Sequence, residues 1–360
     1  MAGTFETRVR QRVEFSGGEV TGALGDSITV LPVVVALGAL TPLSVPHVLL
    51  WFGVFQVLWG VVYGLPLSVE PMKALAGLTI AGVLSYGELV AAGLLAGVVL
   101  LLAGRTNALA RIERIVGDAV VRGIQLAVAL LLAQAGVDLG LADPSLAVGA
   151  GVVALAFVAA GRTGTGGLAV LGAGLALGVS TAGLPTPALP GVPPVTPPAL
   201  TADAFSGAAA QLAMTVGNAA VATSLLCADL FDADVDPDDL ATSMGAMTLC
   251  AVPLGGLPMC HGSGGLAGKY AFGARTGGAN VVLGALYLLA ALVAGVVVAF
   301  PTAVLGVLLL LVAVQLGESA RRTESLPVTV GVGVVGLLVN VGVAFVLGAG
   351  VHWYLDRRAA

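Results

Sequence analysis

The chain has 360 residues, of which 58% are hydrophobic and only 10% are charged, and its formal net charge is −5. Its mean hydropathy of +1.04 is far above that of soluble domains, in which about a quarter of residues are charged. This composition excludes an ordinary soluble domain and a nucleic-acid-binding protein. It indicates a polytopic protein embedded in a lipid bilayer.

Hydropathy predicts seven membrane-spanning helices in the first half of the chain, because each apolar run approaches the roughly 20 residues that cross a bilayer. The predicted spans cover residues 20–40, 47–63, 71–84, 86–103, 115–135, 145–161 and 166–183. The stretch GLPTPALPGVPPVTPPAL (183–200) then holds seven prolines and no charge. This composition predicts a stiff extended connector and not a helix.

Seven further spans are predicted after the connector, at residues 205–230, 240–256, 262–274, 279–299 and 301–317, with a tight pair packed into 326–355. Two halves with seven spans each have opposite orientations, which is the inverted-repeat architecture of secondary transporters. We therefore predict an all-α polytopic protein of about 14 spans. Its domains are a first repeat over 1–183, an outer connector over 184–200 and a second repeat over 201–360.

The arginines set the predicted orientation, because Lys and Arg collect in cytoplasmic loops. With a cytoplasmic N-terminus, the arginines of the loops and tails fall on the cytoplasmic side: Arg8, Arg10, Arg12, Arg105, Arg111, Arg114, Arg162, Arg275, Arg321, Arg322, Arg357 and Arg358. The sequence thus predicts a multi-pass protein of the cell membrane with both termini in the cytoplasm. Lys269 and Arg275 are expected to anchor a span at the cytoplasmic interface.

The third and tenth spans are short and interrupted, and they occupy corresponding positions in the two halves. They read LPLSVEPMKALAGLTIAGV (65–83) and LPMCHGSGGLAGKYAFGA (257–274). Each is expected to begin a helix in the middle of the membrane, which leaves about four unpaired N–H groups and a partial positive charge there. Two such helix starts facing each other predict an anion site.

Polar side chains near these helix starts are the candidate site residues, because polar groups at membrane depth usually face a cavity or the bundle interior. The predicted substrate-binding residues are Thr29, Glu70, Pro71, Met72, Lys73, Thr215, Asn218, Gly262, Ser263, Gly264 and Gly265. The predicted coupling residues are Asp26, Glu70 and His261.

Structural alternatives remain open for several of these residues. Ser27 and Thr29 could bond to their own helix, and Thr215 and Asn218 could join helices. Lys73 could pair with a carboxylate instead of the substrate. His261 could be a structural donor instead of a proton relay.

Motifs that resemble enzyme sites are incomplete. GDSI at 25–28 lacks the D-x-x-H motif of the corresponding hydrolases, and GSGGLAGKY at 262–270 departs from a phosphate-binding loop at two positions. No His pair has zinc-ligand spacing, and Cys227, Cys250 and Cys260 lack a CxxC spacing, so they are expected to be buried free thiols. We expect no enzyme activity, no metal site and no cofactor.

Three stretches resemble a known family: SGGEVTGALGDSITVLPVVVAL, PLSVEPMKALAG and MCHGSGGLAGKYAFGARTG. They are similar to the signature regions of the molybdate transporter family related to sulfate permeases. The resemblance implies a fourteen-span inverted repeat with core and gate domains and uptake of a tetrahedral dianion. Two positions depart from the family pattern: Glu70 replaces a glutamine, and Ser263 replaces an alanine.

The expected function is secondary active import of a tetrahedral oxyanion, most of all molybdate. H⁺ is the expected coupling ion and Na⁺ its alternative, and a homodimer is a candidate assembly. Protonation of Glu70 or Asp26 would lower their repulsion of an anion. Two alternatives remain: a transporter or channel of the same fold for sulfate or another anion, and a nucleobase-type proton symporter, for which Glu70 would bind a neutral base.

Overall fold

The structure is a computed structural model that describes residues 13–109, 111, 117–193, 195–297 and 299–359. Four arginines that set the predicted orientation, Arg8, Arg10, Arg12 and Arg114, lie outside these ranges. The side chains of Thr29 and Arg358 also lie outside the described part of the chain.

Each half contains seven helices and one short strand, and the order of these elements is the same in both halves. The first half contains α1 (Gly17–Leu40), α2 (Val45–Tyr63), β1 (Glu70–Pro71), α3 (Lys73–Ile80), α4 (Tyr86–Arg105), α5 (Asp118–Gly140), α6 (Pro144–Ala159) and α7 (Thr163–Ala182). The second contains α8 (Ala202–Phe231), α9 (Pro237–Ala251), β2 (Met259–Cys260), α10 (Ser263–Ala271), α11 (Gly278–Leu292), α12 (Thr302–Ala320), α13 (Leu326–Leu338) and α14 (Val341–Ala359). The described residues thus form fourteen helices, seven of them long and apolar enough to span a membrane. The predicted fold is confirmed.

Helix packing follows the repeat, in which each helix of the first half corresponds to the helix seven places later. Helix α5 packs on its own counterpart, α12. Helix α2 packs on α11, and the repeat-related pair, α9 and α4, is also in contact. In the same way, α1 packs on α10, and the repeat-related pair, α8 and α3, is in contact. This pattern is expected when a two-fold axis in the membrane plane relates the halves. The residue boundaries predicted for the repeats and the connector stay a prediction.

The proline-rich segment between the halves contains no helix within its described residues, as expected for an extended connector. Three of its backbone groups are held by the bundle: Ala188 N–H donates to Leu292 O at 2.8 Å, Ala199 N–H donates to Gly87 O at 2.9 Å, and Gly191 O lies 3.0 Å from His47 Nε2. Prolines cannot donate such bonds, so the two backbone donors come from alanines between them.

The three cysteines are free, but the expectation that all of them are buried is wrong. Cys227 and Cys260 are buried, whereas Cys250 is exposed. Cys250 lies near the end of α9, a helix whose periphery would face lipid, so an apolar neighbourhood in the sequence does not imply burial inside the protein.

Candidate functional site

Two extended segments meet inside the bundle and bring the starts of α3 and α10 close together. Strands β1 and β2 pair antiparallel, with Glu70 opposite Cys260. Beyond the pair, Met72 N–H donates to Pro258 O at 2.9 Å. Because these strands satisfy each other's backbone groups, the two short helices can begin in the interior, where spans 3 and 10 are predicted to be interrupted.

A cavity of about 290 Å³ lies in front of the first turn of α10. Five predicted substrate-binding residues line it: Lys73, Asn218, Ser263, Gly264 and Gly265. The remaining lining residues are Gly25, Gln125, Gly268, Phe272, Val312, Gln315, Leu316 and Ser319. Lys73 is the cation among these lining residues, and none of them is acidic. The cavity is therefore suited to a small anion.

The two helix starts contribute to this cavity in different ways. The first-turn N–H groups of α10 have no partner within the helix, and Gly264 faces open space, so the positive end of α10 points at the cavity. At α3, Ala74 N–H and Leu75 N–H both donate to Gln211 Oε1, at 2.9 and 3.3 Å. Helix α3 therefore offers the Lys73 ammonium group, not backbone donors.

Helix α8 supplies polar groups from a π-helical segment, Thr215–Val221, a type of irregularity that is frequent at functional sites. Thr215 is buried behind the cavity, and its Oγ1 accepts a hydrogen bond from Gln211 Nε2 at 2.8 Å. It thereby supports the residue that caps α3. Asn218 does reach the cavity, and its Oδ1 accepts the hydroxyl of Ser263 at 2.8 Å.

Lys73 has both of the roles considered for it, since it lines the cavity and also forms an ion pair. Its Nζ lies 2.6 Å from Glu70 Oε2. The Glu70 side chain is fully buried, whereas 17% of the Lys73 side chain is exposed. The other carboxylate oxygen, Glu70 Oε1, and the nearby Ser68 Oγ are buried without a hydrogen-bond partner among the described residues. Leaving such atoms unpaired costs free energy, so the Glu70 carboxylate is only half satisfied.

The glycines at the start of α10 are required mainly by Glu70. A Cβ atom added at Gly262 or at Gly265 would overlap the Glu70 carboxylate, and at Gly265 it would also overlap Asp26 Oδ1. The carboxylate therefore lies against the backbone of α10. Gly264, by contrast, faces open space, so it leaves the helix start accessible from the cavity.

Lys269 does not anchor the protein at an interface, so that expectation is wrong. Its side chain is fully buried and its Nζ lies 3.1 Å from Asp26 Oδ2. The same ammonium group donates to Gln56 Oε1 at 3.1 Å and to Asn280 Oδ1 at 2.6 Å. A lone charge in this interior would be costly, and the pair with its hydrogen bonds reduces that cost. The network joins α1, α2, α10 and α11.

We expect Lys269→Met to lower the free energy of unfolding by about 3–5 kcal/mol, because it leaves the Asp26 charge buried without its cation. The double variant Asp26→Asn/Lys269→Met should recover most of that loss. Thermal unfolding of the purified protein in detergent measures both effects. Arg322→Ala removes an exposed cation outside this network and is the control, with an expected change within about 0.5 kcal/mol. Equal losses in the single and double variants would contradict this role.

His261 lies outside the cavity, in a polar and aromatic cage. Its Nε2 lies 2.8 Å from Ser243 Oγ and its Nδ1 2.9 Å from Ser68 O. The rings of Trp59 and Tyr63 contact it edge-on, at centroid distances of 6.1 and 5.9 Å. Since both ring nitrogens have partners, this arrangement favours the structural alternative for His261.

Pro71, Met72 and Ser27 lie outside the described lining of the cavity. Pro71 and Met72 are buried at the crossing of the strands, outside the described lining of the cavity. Ser27 is buried, with its Oγ 3.5 Å from Tyr287 Oη. The side chain of Thr29 lies outside the described residues, so its predicted role stays a prediction.

Sequence reasoning missed the polar side chains that face α10 across the cavity. They are Gln125 of α5 and Gln315 and Ser319 of α12. Gln125 is 1% exposed, and Arg122 Nη1 donates to its Oε1 at 3.3 Å. A signal was present, because a glutamine inside an apolar span is costly unless it faces a cavity or the bundle interior.

Comparison with known proteins gives the family. Residues 18–132 and 203–316, more than half of the chain, match the family described as "Molybdate transporter of MFS superfamily". The chain belongs to the molybdate transporter family. Molybdate transporter 1 of Arabidopsis thaliana is 30% identical to it over 84% of this chain and 79% of its own length. Both matched stretches of this family member contain cavity residues, Lys73 and Gln125 in the first and Ser263 and Gln315 in the second.

Two solved structures share the fold of this molybdate transporter family member. The transmembrane domain of the cyanobacterial bicarbonate transporter BicA has a TM-score of 0.67 and 18% identity, covering 92% of this chain and 97% of its own. SLC26A9 has a TM-score of 0.71 and 13% identity, covering 94% of this chain and 65% of its own. At these identities the likeness concerns the fold alone, which is the inverted repeat described above.

Proposed function

We propose that this transporter is a secondary active importer of a tetrahedral oxyanion, molybdate first, and that it is coupled to protons. The observation that carries the proposal is the convergence of Lys73 and the first turn of α10 on one cavity of about 290 Å³. An ammonium group and free N–H groups at a helix start are complementary to an anion. Membership of the family and the relatives named molybdate transporters support molybdate as the first choice.

The bound oxyanion would contact donors on both sides of the cavity. Lys73 and the N–H groups of Ser263 and Gly264 would lie on one side, and the amides of Gln125 and Gln315 on the other. A fully deprotonated oxyanion only accepts hydrogen bonds, so it fits a lining that is rich in donors and free of carboxylates. An anion that must also donate a hydrogen bond fits this lining less well.

Glu70 is the proposed proton site. Its carboxylate neutralises Lys73 in the observed state, and its Oε1 has no partner among the described residues. Protonation would remove the negative charge beside the cavity and release the Lys73 ammonium for the anion. A proton and an oxyanion would then bind cooperatively, and each would raise the affinity of the other by the same factor.

We also propose that the protein lies in the cell membrane with both termini in the cytoplasm, on the distribution of its arginines. Since α10 and α12 both end on the side that carries Arg275 and Arg321, the cavity would then open toward the cytoplasm. The nucleobase alternative loses support, because Glu70 is engaged by Lys73 and lies outside the described lining of the cavity.

Uptake into proteoliposomes tests the proposal. We expect labelled molybdate to accumulate against its gradient when the outside is acidic, and not when a Na⁺ gradient replaces the proton gradient. If excess sulfate abolishes molybdate uptake and sulfate is itself transported better than molybdate, the substrate assignment changes from molybdate to sulfate. Uptake that reaches equilibrium but ignores an imposed proton gradient would contradict the coupling. Displacement by uracil, with no effect of either oxyanion, would favour the nucleobase class.

A further inference from the structure

The first turns of α5 carry three polar side chains that are joined in a row and end at the candidate site. Arg122 Nε donates to Asp118 Oδ1 at 3.1 Å, and Arg122 Nη1 donates to Gln125 Oε1 at 3.3 Å. Gln125 lines the cavity, whereas Asp118 and Arg122 lie outside its described lining. The proposed function uses the Gln125 amide but assigns no role to the two residues behind it.

Arg122 determines which end of the Gln125 amide faces the cavity. A carboxamide has one end that accepts hydrogen bonds and one end that donates them. A guanidinium group only donates, and Asp118 holds this one in place, so the amide oxygen faces Arg122. Turning the amide around would set its NH₂ group against the guanidinium and would lose a charge-assisted hydrogen bond. Nε2 is therefore the end that remains for the cavity.

A second amide of the cavity is oriented in the same sense. The Ser263 hydroxyl donates to Asn218 Oδ1 at 2.8 Å, which leaves Asn218 Nδ2 for a ligand. This constraint is the weaker of the two, because a hydroxyl group can rotate and can accept as well as donate. The third amide of the lining, Gln315, has no such charged neighbour among the described salt bridges. Gln125 is thus the amide that is held most firmly as a donor.

On the basis of the proposed function, we infer that Arg122, held by Asp118, is a positioning residue that makes the site prefer oxyanions without a proton. An amide fixed as a donor suits molybdate and sulfate, which only accept hydrogen bonds. Hydrogen phosphate is also a dianion, but it carries one proton that needs an acceptor. Where that proton meets Gln125 Nε2, two donors face each other and remain unpaired, which lowers the affinity.

The charge of Arg122 does not produce this preference by itself. The guanidinium is paired with Asp118, so the two residues together add no net charge beside the cavity. Any field that remains acts equally on sulfate and hydrogen phosphate, because the two anions have the same charge and nearly the same size. A difference between their affinities therefore reports the orientation of hydrogen-bonding groups.

Competition binding tests the inference. Sulfate and hydrogen phosphate each displace labelled molybdate from the purified protein at a mildly alkaline pH, where both competitors are dianions. The selectivity is the inhibition constant of hydrogen phosphate divided by the dissociation constant of molybdate, and sulfate is the size-matched reference.

The double variant Asp118→Asn/Arg122→Met removes the ion pair without changing the net charge, and both side chains are partly exposed, so it should fold. We expect it to lower the selectivity at least about fivefold, because the freed amide can turn its oxygen to the proton of hydrogen phosphate. The ratio of sulfate to molybdate affinity should stay constant. Arg122→Lys keeps a cationic donor and should preserve the selectivity. Hydrogen phosphate that competes no better in the double variant than in the wild type would overturn the inference.

A double-mutant cycle with Gln125 separates positioning from a general structural effect. In a Gln125→Met background, replacing Asp118 and Arg122 should leave the selectivity unchanged, because no amide remains to be turned. A change that persists without Gln125 would overturn the inference. A wild type that binds hydrogen phosphate as tightly as molybdate would also overturn it, while the oxyanion assignment would stand. If none of the three anions binds the wild type, the proposed function fails and the inference fails with it.

Discussion

Lys73→Gln is expected to weaken molybdate binding at least about 100-fold, which corresponds to about 2.7 kcal/mol. Lys73 is the cation among the lining residues of the candidate site. A unit charge about 4 Å from an anion contributes about 4 kcal/mol at an effective dielectric constant of 20, a value suited to partly buried groups. The helix start and the neutral donors would remain, so binding should become weak without disappearing. Equilibrium binding of labelled molybdate to the purified protein measures the change.

The control for this experiment must keep Glu70 neutral. Lys73→Gln alone leaves a buried carboxylate without its cation, which is expected to be destabilising. The double variant Glu70→Gln/Lys73→Gln removes both charges and should unfold close to the wild-type temperature while still binding molybdate weakly. Wild-type affinity in the double variant, at a pH low enough to protonate Glu70 of the wild type, would show that Lys73 serves only to hold Glu70, and the assignment of the cavity would then be wrong.

Glu70→Gln is expected to uncouple transport from protons. In the wild type, binding of the anion should improve as the pH falls, because protonation removes the negative charge that opposes the anion and occupies Lys73. The amide is neutral at every pH, so the variant should bind molybdate with an affinity that no longer depends on the protonation of residue 70. Above the pH at which the wild-type carboxyl ionises, the variant should therefore bind more tightly than the wild type.

Two measurements check this expectation. Binding titrations across a pH series should give a sloping profile for the wild type and a flat one for Glu70→Gln. In proteoliposomes the variant should equilibrate molybdate without concentrating it when a proton gradient is imposed. Asp26→Asn/Lys269→Met is the matched comparison, since it neutralises the other buried carboxylate near α10 without leaving Lys269 buried and unpaired. A slope that persists in Glu70→Gln and vanishes in this double variant would transfer the proton site to Asp26.

Hydropathy and the motifs determined the spans, the two interrupted helices and the family. These features are local: the length of an apolar run, a glycine-rich turn and a charge excess can each be recognised without knowing what packs against them. For this reason Lys73, Asn218 and Ser263 could be assigned to one anion site in advance, and the structure brings all three to one cavity.

Only the tertiary structure decided which polar group faces which partner. Lys269 pairs with Asp26, although 243 positions separate them in the sequence, and Gln211 caps α3 from another helix. Gln315 reaches the cavity because α12 lies across from α10. A charge or an amide in an apolar chain indicates that a polar partner is needed, since burying such a group alone is costly. The sequence by itself does not say which partner is nearest, because that depends on how the two halves pack.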